Sequence, residues 1–125
     1  MKIIIVGATV TIGRAVVNLF ESKHEVIKAS RNGDVRVDLS NPDSIKEMYG
    51  EVSDIDAVVC AAGDAKFGPL DSFNDEDFQF SLSNKLMGQV NLVRFGRGHL
   101  NEVGYLHLQQ VYWRIDQMLQ LLYLP

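Results

Sequence analysis

A glycine-containing turn near the start of the chain has the residue types and spacing that bind a phosphate. The β-branched run 2–6 leads into a turn, and a helical pattern begins within it; the candidate binding residues are Gly7, Thr9, Thr11, Ile12 and Gly13. Glycine permits a tight reversal and a close approach of the backbone to a pyrophosphate. The start of the helix adds free N–H groups and the positive end of its dipole. The turn therefore predicts a dinucleotide site.

One residue weakens this pattern. In the spacing G-x-x-G-x-x-G, the middle glycine is replaced by Val10. A β-branched side chain there is expected to crowd a pyrophosphate and to resist the positive φ that glycine accepts. The alternative interpretation is a plain strand-to-helix turn that binds no ligand.

The end of the second predicted strand indicates which dinucleotide would bind. In dinucleotide-binding domains an acid at this point holds the ribose 2′-hydroxyl of NAD, whereas a basic residue suits the 2′-phosphate of NADP. This strand ends in Ser30 and Arg31, and no acid follows until Asp34. Because a guanidinium can bind a phosphate through two hydrogen bonds, these residues favour NADP, with NAD as the alternative. A solvated turn arginine is the other interpretation of Arg31.

The remaining reactive groups fit structural roles, so no catalytic residue and no metal ligand is predicted. Cys60 has no base or cation in its sequence neighbours and is expected to be a packed small hydrophobe. A cluster of acids occurs at a predicted helix start, where capping and dipole compensation explain it better than a metal site. Its members are Asp71, Asp75, Glu76 and Asp77.

Strands and helices alternate along the first hundred residues. The predicted strands cover residues 2–6, 24–29, 35–37 and 56–61. The predicted helices cover 11–22, about 41–49, and about 76–96 with Phe78, Leu82, Leu86 and Val90 on one face. Alternation with short connections is typical of an α/β fold with a doubly wound parallel sheet.

These residues resemble the short-chain dehydrogenase/reductases, and most of all their small bacterial-type group. The matching segments occur in the expected order at 3–9, 12–17, 37–40, 61–70 and 85–93. The resemblance implies a Rossmann-type doubly wound parallel sheet, truncated after about the fifth strand, and an NAD(P)-binding oxidoreductase. It assigns Gly7, Thr9, Ile12 and Gly13 to the pyrophosphate, Ser30 and Arg31 to the 2′-phosphate, and Asp38 and Leu39 to the adenine. Ala61, Ala62 and Gly63 follow the fourth strand, where the family carries Asn-Ala-Gly.

The chain departs from the family at its catalytic residues. The helix asparagine expected three residues before Gly88 is Lys85, and the catalytic serine and the Tyr-x-x-x-Lys pair have no counterpart. That lysine matters because it lowers the pKa of the tyrosine that transfers the proton. The resemblance thus implies a catalytically incomplete chain. The alternative is a non-enzymatic truncated remnant that acts as a nucleotide-binding or protein-interaction module.

The resemblance ends near residue 102. Residues 1–104 are expected to form the N-terminal part of a Rossmann NAD(P)-binding domain, and 105–125 a divergent tail. In the tail, 105–108 predicts a fifth strand, and apolar residues at helical spacing follow: Val111, Ile115, Met118, Leu119 and Leu122. The tail is either this strand and amphipathic helix, or a non-native sequence from an altered reading frame or from splicing. Helix 76–96 lies where the family often dimerises, so a homo-oligomer is also expected.

Bulk properties exclude several classes of partner. The net charge is −4 and no basic run occurs, which argues against nucleic acid and against an anionic membrane surface. Apolar runs such as 3–6 are too short to span a bilayer, and no secretory signal is recognisable. With a single cysteine, Cys60, the chain is expected in the reducing cytoplasm, acting on an unknown small-molecule substrate.

Overall fold

A parallel sheet of five strands forms the centre of the chain in its computed structural model, which describes residues 1–108. The strands are β1 (Lys2–Val6), β2 (Glu25–Ser30), β3 (Val35–Arg36), β4 (Ile55–Cys60) and β5 (Leu100–Leu108). The helices are α1 (Thr11–Phe20), α2 (Pro42–Glu51), α3 (Asp75–Ser81) and α4 (Gly88–Gly96). The predicted α/β fold with a doubly wound parallel sheet is confirmed. The helix predicted from Val111 onward lies outside the described residues.

The order of the strands decides where a ligand can bind. The sheet runs β3-β2-β1-β4-β5, so β1 lies between β2 and β4, with Ile4 opposite Ile27 on one side and Val58 on the other. The chain first moves outward from β1 to β3 and then returns to the other side at β4. This reversal leaves a crevice beyond the carboxyl ends of β1 and β4, which is the usual ligand site of an open α/β sheet.

Two apolar clusters hold the layers together, one on each face of the sheet. On the first face, Ile3 and Ile5 of β1 pack near Val17 of α1. On the second, β1 and β4 pack against α2 and α4 through Ile4, Val6, Ile45, Met48, Val58 and Leu92. Burial on both faces explains why residues 3–6 of β1 and 57–60 of β4 are apolar without polar alternation.

The cap of α3 accounts for three acids of the predicted cluster, whereas Asp71 lies in a separate 3-10 turn, Leu70–Ser72. Asn74 precedes α3, and its side chain accepts a hydrogen bond of 2.9 Å from the backbone N–H of Asp77. The Asp77 carboxylate in turn accepts one of 3.1 Å from the Asn74 N–H, which completes a capping box. Asp75 and Glu76 lie in the same first turn, where negative charge complements the helix dipole.

The long helix predicted over 76–96 is interrupted, and this prediction is corrected. A π-helical segment, Leu82–Met87, separates α3 from α4. A π-helix has more residues per turn than an α-helix, so it rotates the residues that follow it. The four residues predicted on one apolar face are all partly exposed, with exposed fractions of 41% for Phe78, 47% for Leu82, 54% for Leu86 and 38% for Val90.

Strand β5 is longer than expected, since it begins at Leu100 rather than at Tyr105. Its pairing with β4 is irregular between Ile55 and Ala57. Leu106 and Leu108 pack against the core on the α2–α4 side, whereas Tyr105 is exposed. Within residues 1–108, no helix has the length and apolar character needed to cross a membrane.

Candidate dinucleotide site

A cavity of about 550 Å³ opens at the carboxyl ends of β1, β2 and β4. Eight of the predicted site residues line it: Gly7, Thr9, Ser30, Arg31, Leu39, Ala61, Ala62 and Gly63. The other residues in its wall are Val6, Val10, Asn32, Val37, Asp64 and Asn84. The cavity therefore brings together the turn after β1 and the loops that follow β2 and β4.

Four predicted residues lie outside this wall. Thr11, Ile12 and Gly13 form the first turn of α1, behind the turn that lines the cavity. Asp38 lines a second cavity that shares Arg31 and Asn84 with the first. There its carboxylate accepts hydrogen bonds from the backbone N–H (3.0 Å) and the hydroxyl (2.7 Å) of Ser40.

Two glycines shape the turn after β1, each for a different reason. Gly7 has a φ of +84°, and a Cβ built on it would lie 2.7 Å from the Cβ of Ala62. A Cβ on Gly13 would overlap the carbonyl oxygen of Gly7. The first glycine thus permits the reversal, and the second lets α1 pack directly against the end of β1.

The backbone strain expected at Val10 is absent, which corrects that prediction. Val10 has φ −84° and ψ 164°, an extended conformation that any residue adopts, and the positive φ falls on Gly7 instead. The side chain of Val10 does line the cavity, 44% exposed, so its expected crowding of a pyrophosphate stays a prediction.

The N-terminus of α1 is open in a way that those of α2 and α3 are not. Asn41 and Asn74 cap those two helices by accepting a backbone N–H. Val10 precedes α1 with no side-chain cap, and the first turn of α1 carries no acid. Its first backbone N–H groups therefore lack the usual side-chain acceptor and offer donors to an anion.

The residues at the end of β2 differ strongly in exposure. Ser30 is 8% exposed, and its hydroxyl accepts a 3.2 Å hydrogen bond from the backbone N–H of Asn32, which orders the turn. Arg31 has a side chain 66% exposed, and its Nη2 lies 3.4 Å from a carboxylate oxygen of Asp64. The arginine is thus paired across the mouth of the cavity, a contact that its sequence neighbours did not suggest.

The residue that α3 and the π-helical segment bring to the cavity is Asn84. It is 5% exposed, and its side-chain amide donates a 3.1 Å hydrogen bond to the carbonyl of Phe80. The family's helix asparagine aligned with Lys85, one residue further on. Lys85 instead runs past Gly63, where an added Cβ would lie 2.9 Å from the lysine Cδ. The spacing of the apolar residues did not indicate the π-helical segment in which Asn84 and Lys85 lie.

Cys60 is fully buried, as predicted for a packed small hydrophobe. Its thiol donates a weak 3.4 Å hydrogen bond to the carbonyl of Ala62. Burial raises the pKa of the thiol, and the hydrogen bond with the Ala62 backbone and the charge of Lys85 oppose this only in part. A buried thiol with a raised pKa is unreactive at neutral pH.

The sequence also matches a known family. The model of the NAD dependent epimerase/dehydratase family matches residues 3–107. The chain belongs to this family. Its solved neighbours are short-chain dehydrogenases/reductases, which confirms the family that its residues resemble. No curated protein matches the chain.

Solved structures of similar proteins share the fold. The protein lin1944 from Listeria innocua is 48% identical with a TM-score of 0.82, and the match covers 85% of this chain and 54% of that one. A small-chain dehydrogenase in complex with NADPH is 23% identical with a TM-score of 0.78, covering 86% and 49%. Serine dehydrogenase from Escherichia coli is 24% identical with a TM-score of 0.69, covering 86% and 60%. The chain therefore spans about half the length of these proteins and has their NAD(P)-binding oxidoreductase fold.

Proposed function

We propose that the chain binds NADP(H), and NAD(H) more weakly, as the cofactor-binding part of a short-chain oxidoreductase. The observation that carries the proposal is the cavity where the strand order reverses, walled by the turn after β1 and by Arg31 after β2. The NADPH complex of the small-chain dehydrogenase supports it, since that protein shares the fold.

The residues present fit the parts of the cofactor. The pyrophosphate would lie against Gly7 and Thr9 and accept hydrogen bonds from the uncapped start of α1. The small residues after β4, Ala61 to Gly63, leave room for the cofactor to cross the sheet edge. Leu39 provides an apolar wall for the adenine, and Arg31 and Ser30 would hold the 2′-phosphate. When bound, the nicotinamide supplies hydride chemistry that no side chain provides.

Replacing Arg31 by glutamine tests the preference for NADP(H). The NADPH affinity of Arg31→Gln is expected to fall about tenfold or more, because hydrogen bonds to charged groups contribute about 1.5–3 kcal/mol. NADH affinity should change little, since its ribose carries no phosphate. Titration calorimetry or nicotinamide fluorescence measures both.

The matched control for this test is Arg36→Gln. Arg36 is an exposed arginine of β3 that lines neither cavity, so the control removes the same charge without touching the site. Tighter binding of NADH than of NADPH by the unmodified chain would contradict the preference. Equal losses for both cofactors in Arg31→Gln would contradict the assigned role of Arg31.

We further propose that this chain does not catalyse carbonyl reduction. Across its 125 residues, no tyrosine is followed four positions later by a lysine, so the family's proton donor has no counterpart. Purified chain with NADPH and a panel of aldehydes and ketones is expected to oxidise the cofactor at the background rate. Turnover that survives repurification and is lost in Lys85→Ala would contradict this, because Lys85 is the cation beside Gly63.

The second candidate function is that of a non-enzymatic module that acts through protein contacts. The missing Tyr-x-x-x-Lys pair favours it over an active reductase, and the outward-facing apolar residues of α3 and α4 are available for contacts.

The single cysteine fits a reducing compartment, so the cytoplasm is the proposed location.

A further inference from the structure

An acid that the sequence did not single out lies at the mouth of the cavity. Of the residues that line it within 1–108, Asp64 is the one with a carboxylate. It directly follows Gly63, in the loop after β4, and its side chain is 64% exposed. Arg31 is its partner, with 3.4 Å between the guanidinium Nη2 and the carboxylate oxygen.

This ion pair connects two loops that are not neighbours in the sheet. Arg31 follows β2 and Asp64 follows β4, and β1 lies between those strands. Adjacent strands are about 4.8 Å apart, so the two side chains together reach across about 10 Å at the carboxyl edge. The pair thus spans the cavity beside the turn at Gly7, where a dinucleotide would have to lie.

We propose that Asp64 is a specificity-determining residue that lowers the preference of this site for a 2′-phosphate by pairing with Arg31. The inference rests on the proposed function and concerns the same cavity. Arg31 attracts a 2′-phosphate, and Asp64 opposes it in two ways. In the free protein its carboxylate forms an ion pair with the guanidinium and so competes with the phosphate for it. Once the cofactor has bound, the same carboxylate repels the phosphate.

The energetic balance allows the phosphate to compete. A phosphate carries more negative charge than a carboxylate and binds a guanidinium in a bidentate manner. An exposed ion pair contributes little to stability, so its opening is a small obstacle. The 2′-hydroxyl of NAD has no charge to repel and can donate a hydrogen bond to the same carboxylate. Asp64 therefore favours NAD relative to NADP, in the role that an acid at the end of β2 has elsewhere.

The experiment compares Asp64→Asn with the unmodified full chain, using NADPH and NADH as the two probes. Asparagine keeps the size of the side chain and removes its charge. NADPH affinity is expected to rise about three- to tenfold, and NADH affinity to stay constant or fall. Because both groups are exposed, the gain for NADPH should shrink as salt is raised from low to high ionic strength.

Asp71→Asn is the matched control. Asp71 lies in the same connection between β4 and α3, is exposed, and lines neither cavity. It changes the net charge equally and should leave the ratio of NADPH to NADH affinity unchanged. A second variant, Arg31→Gln with Asp64→Asn, should gain less NADPH affinity from the asparagine than the native background does, because the competition for Arg31 is gone.

The outcomes separate this inference from the proposed function. If the unmodified chain binds NADPH and Asp64→Asn leaves the affinity ratio unchanged, the role of Asp64 is refuted while the proposed function stands. If Asp71→Asn shifts the ratio as much as Asp64→Asn, net charge is responsible and the role of Asp64 is again refuted. If no variant binds either cofactor, the proposed function fails, and the inference fails with it.

Discussion

Replacing Gly13 by alanine is expected to lower the free energy of unfolding by about 3 kcal/mol and to abolish cofactor binding. The new Cβ would overlap the carbonyl oxygen of Gly7, a backbone atom at the end of β1 that has no flexible side chain to yield. The first turn of α1 would have to move away from the sheet. The N–H groups that it offers to a pyrophosphate would move with it.

The matched control carries the same substitution at a glycine with free space around it. Gly50 lies in α2, and a Cβ built there would meet no atom within 4 Å. Gly50→Ala should therefore stabilise the chain by about 0.5 kcal/mol through helix propensity. Urea and thermal unfolding measure both variants, and the midpoint of Gly13→Ala is expected to fall by about 10 °C. Similar midpoints for the two variants would show that α1 does not pack as closely on β1 as the structure indicates.

Much of the sheet could be predicted because its signals are local. The run 2–6 is apolar and β-branched and ends at a glycine, so the bounds predicted for β1 are those observed. The predicted bounds of β2 and β4 differ from the observed ones by one residue at each end. The turn after β1 was predictable for the same reason, since its residues lie within a few positions along the chain. The roles assigned to them in cofactor binding stay predictions.

The rest of the site depends on contacts between segments that meet only in the folded chain. Asp64 and Arg31 are far apart in sequence, and only the position of β1 between β2 and β4 brings them together. Asn84 reaches the cavity from within a π-helical segment, and the spacing of the apolar residues does not predict such a segment. The strain expected at Val10 was wrong because the turn takes its positive φ at Gly7.

Two leucines, one in α4 and one in the π-helical segment, are expected to differ strongly in how much stability is lost when each is replaced by alanine. Leu92 of α4 is completely buried between the sheet and α2, whereas Leu86 of the π-helical segment is 54% exposed. Leu92→Ala is expected to cost about 3–4 kcal/mol, because it removes apolar contacts and leaves a cavity. Leu86→Ala should cost no more than about 0.5 kcal/mol, as is usual for a surface position. Urea unfolding of both variants measures the difference.

Light scattering adds a second measurement to the same pair of variants. Leu86 belongs to the outward-facing apolar row on α3, the π-helical segment and α4, together with Phe78, Leu82 and Val90. Contiguous exposed apolar surface favours association, so the unmodified chain is expected to self-associate and Leu86→Ala to do so less. If Leu86→Ala instead destabilised the chain as strongly as Leu92→Ala, the uninterrupted helix expected from the sequence would be supported. In that case Leu86 would pack against the core, and the placement of Asn84 in the wall of the cavity would be contradicted.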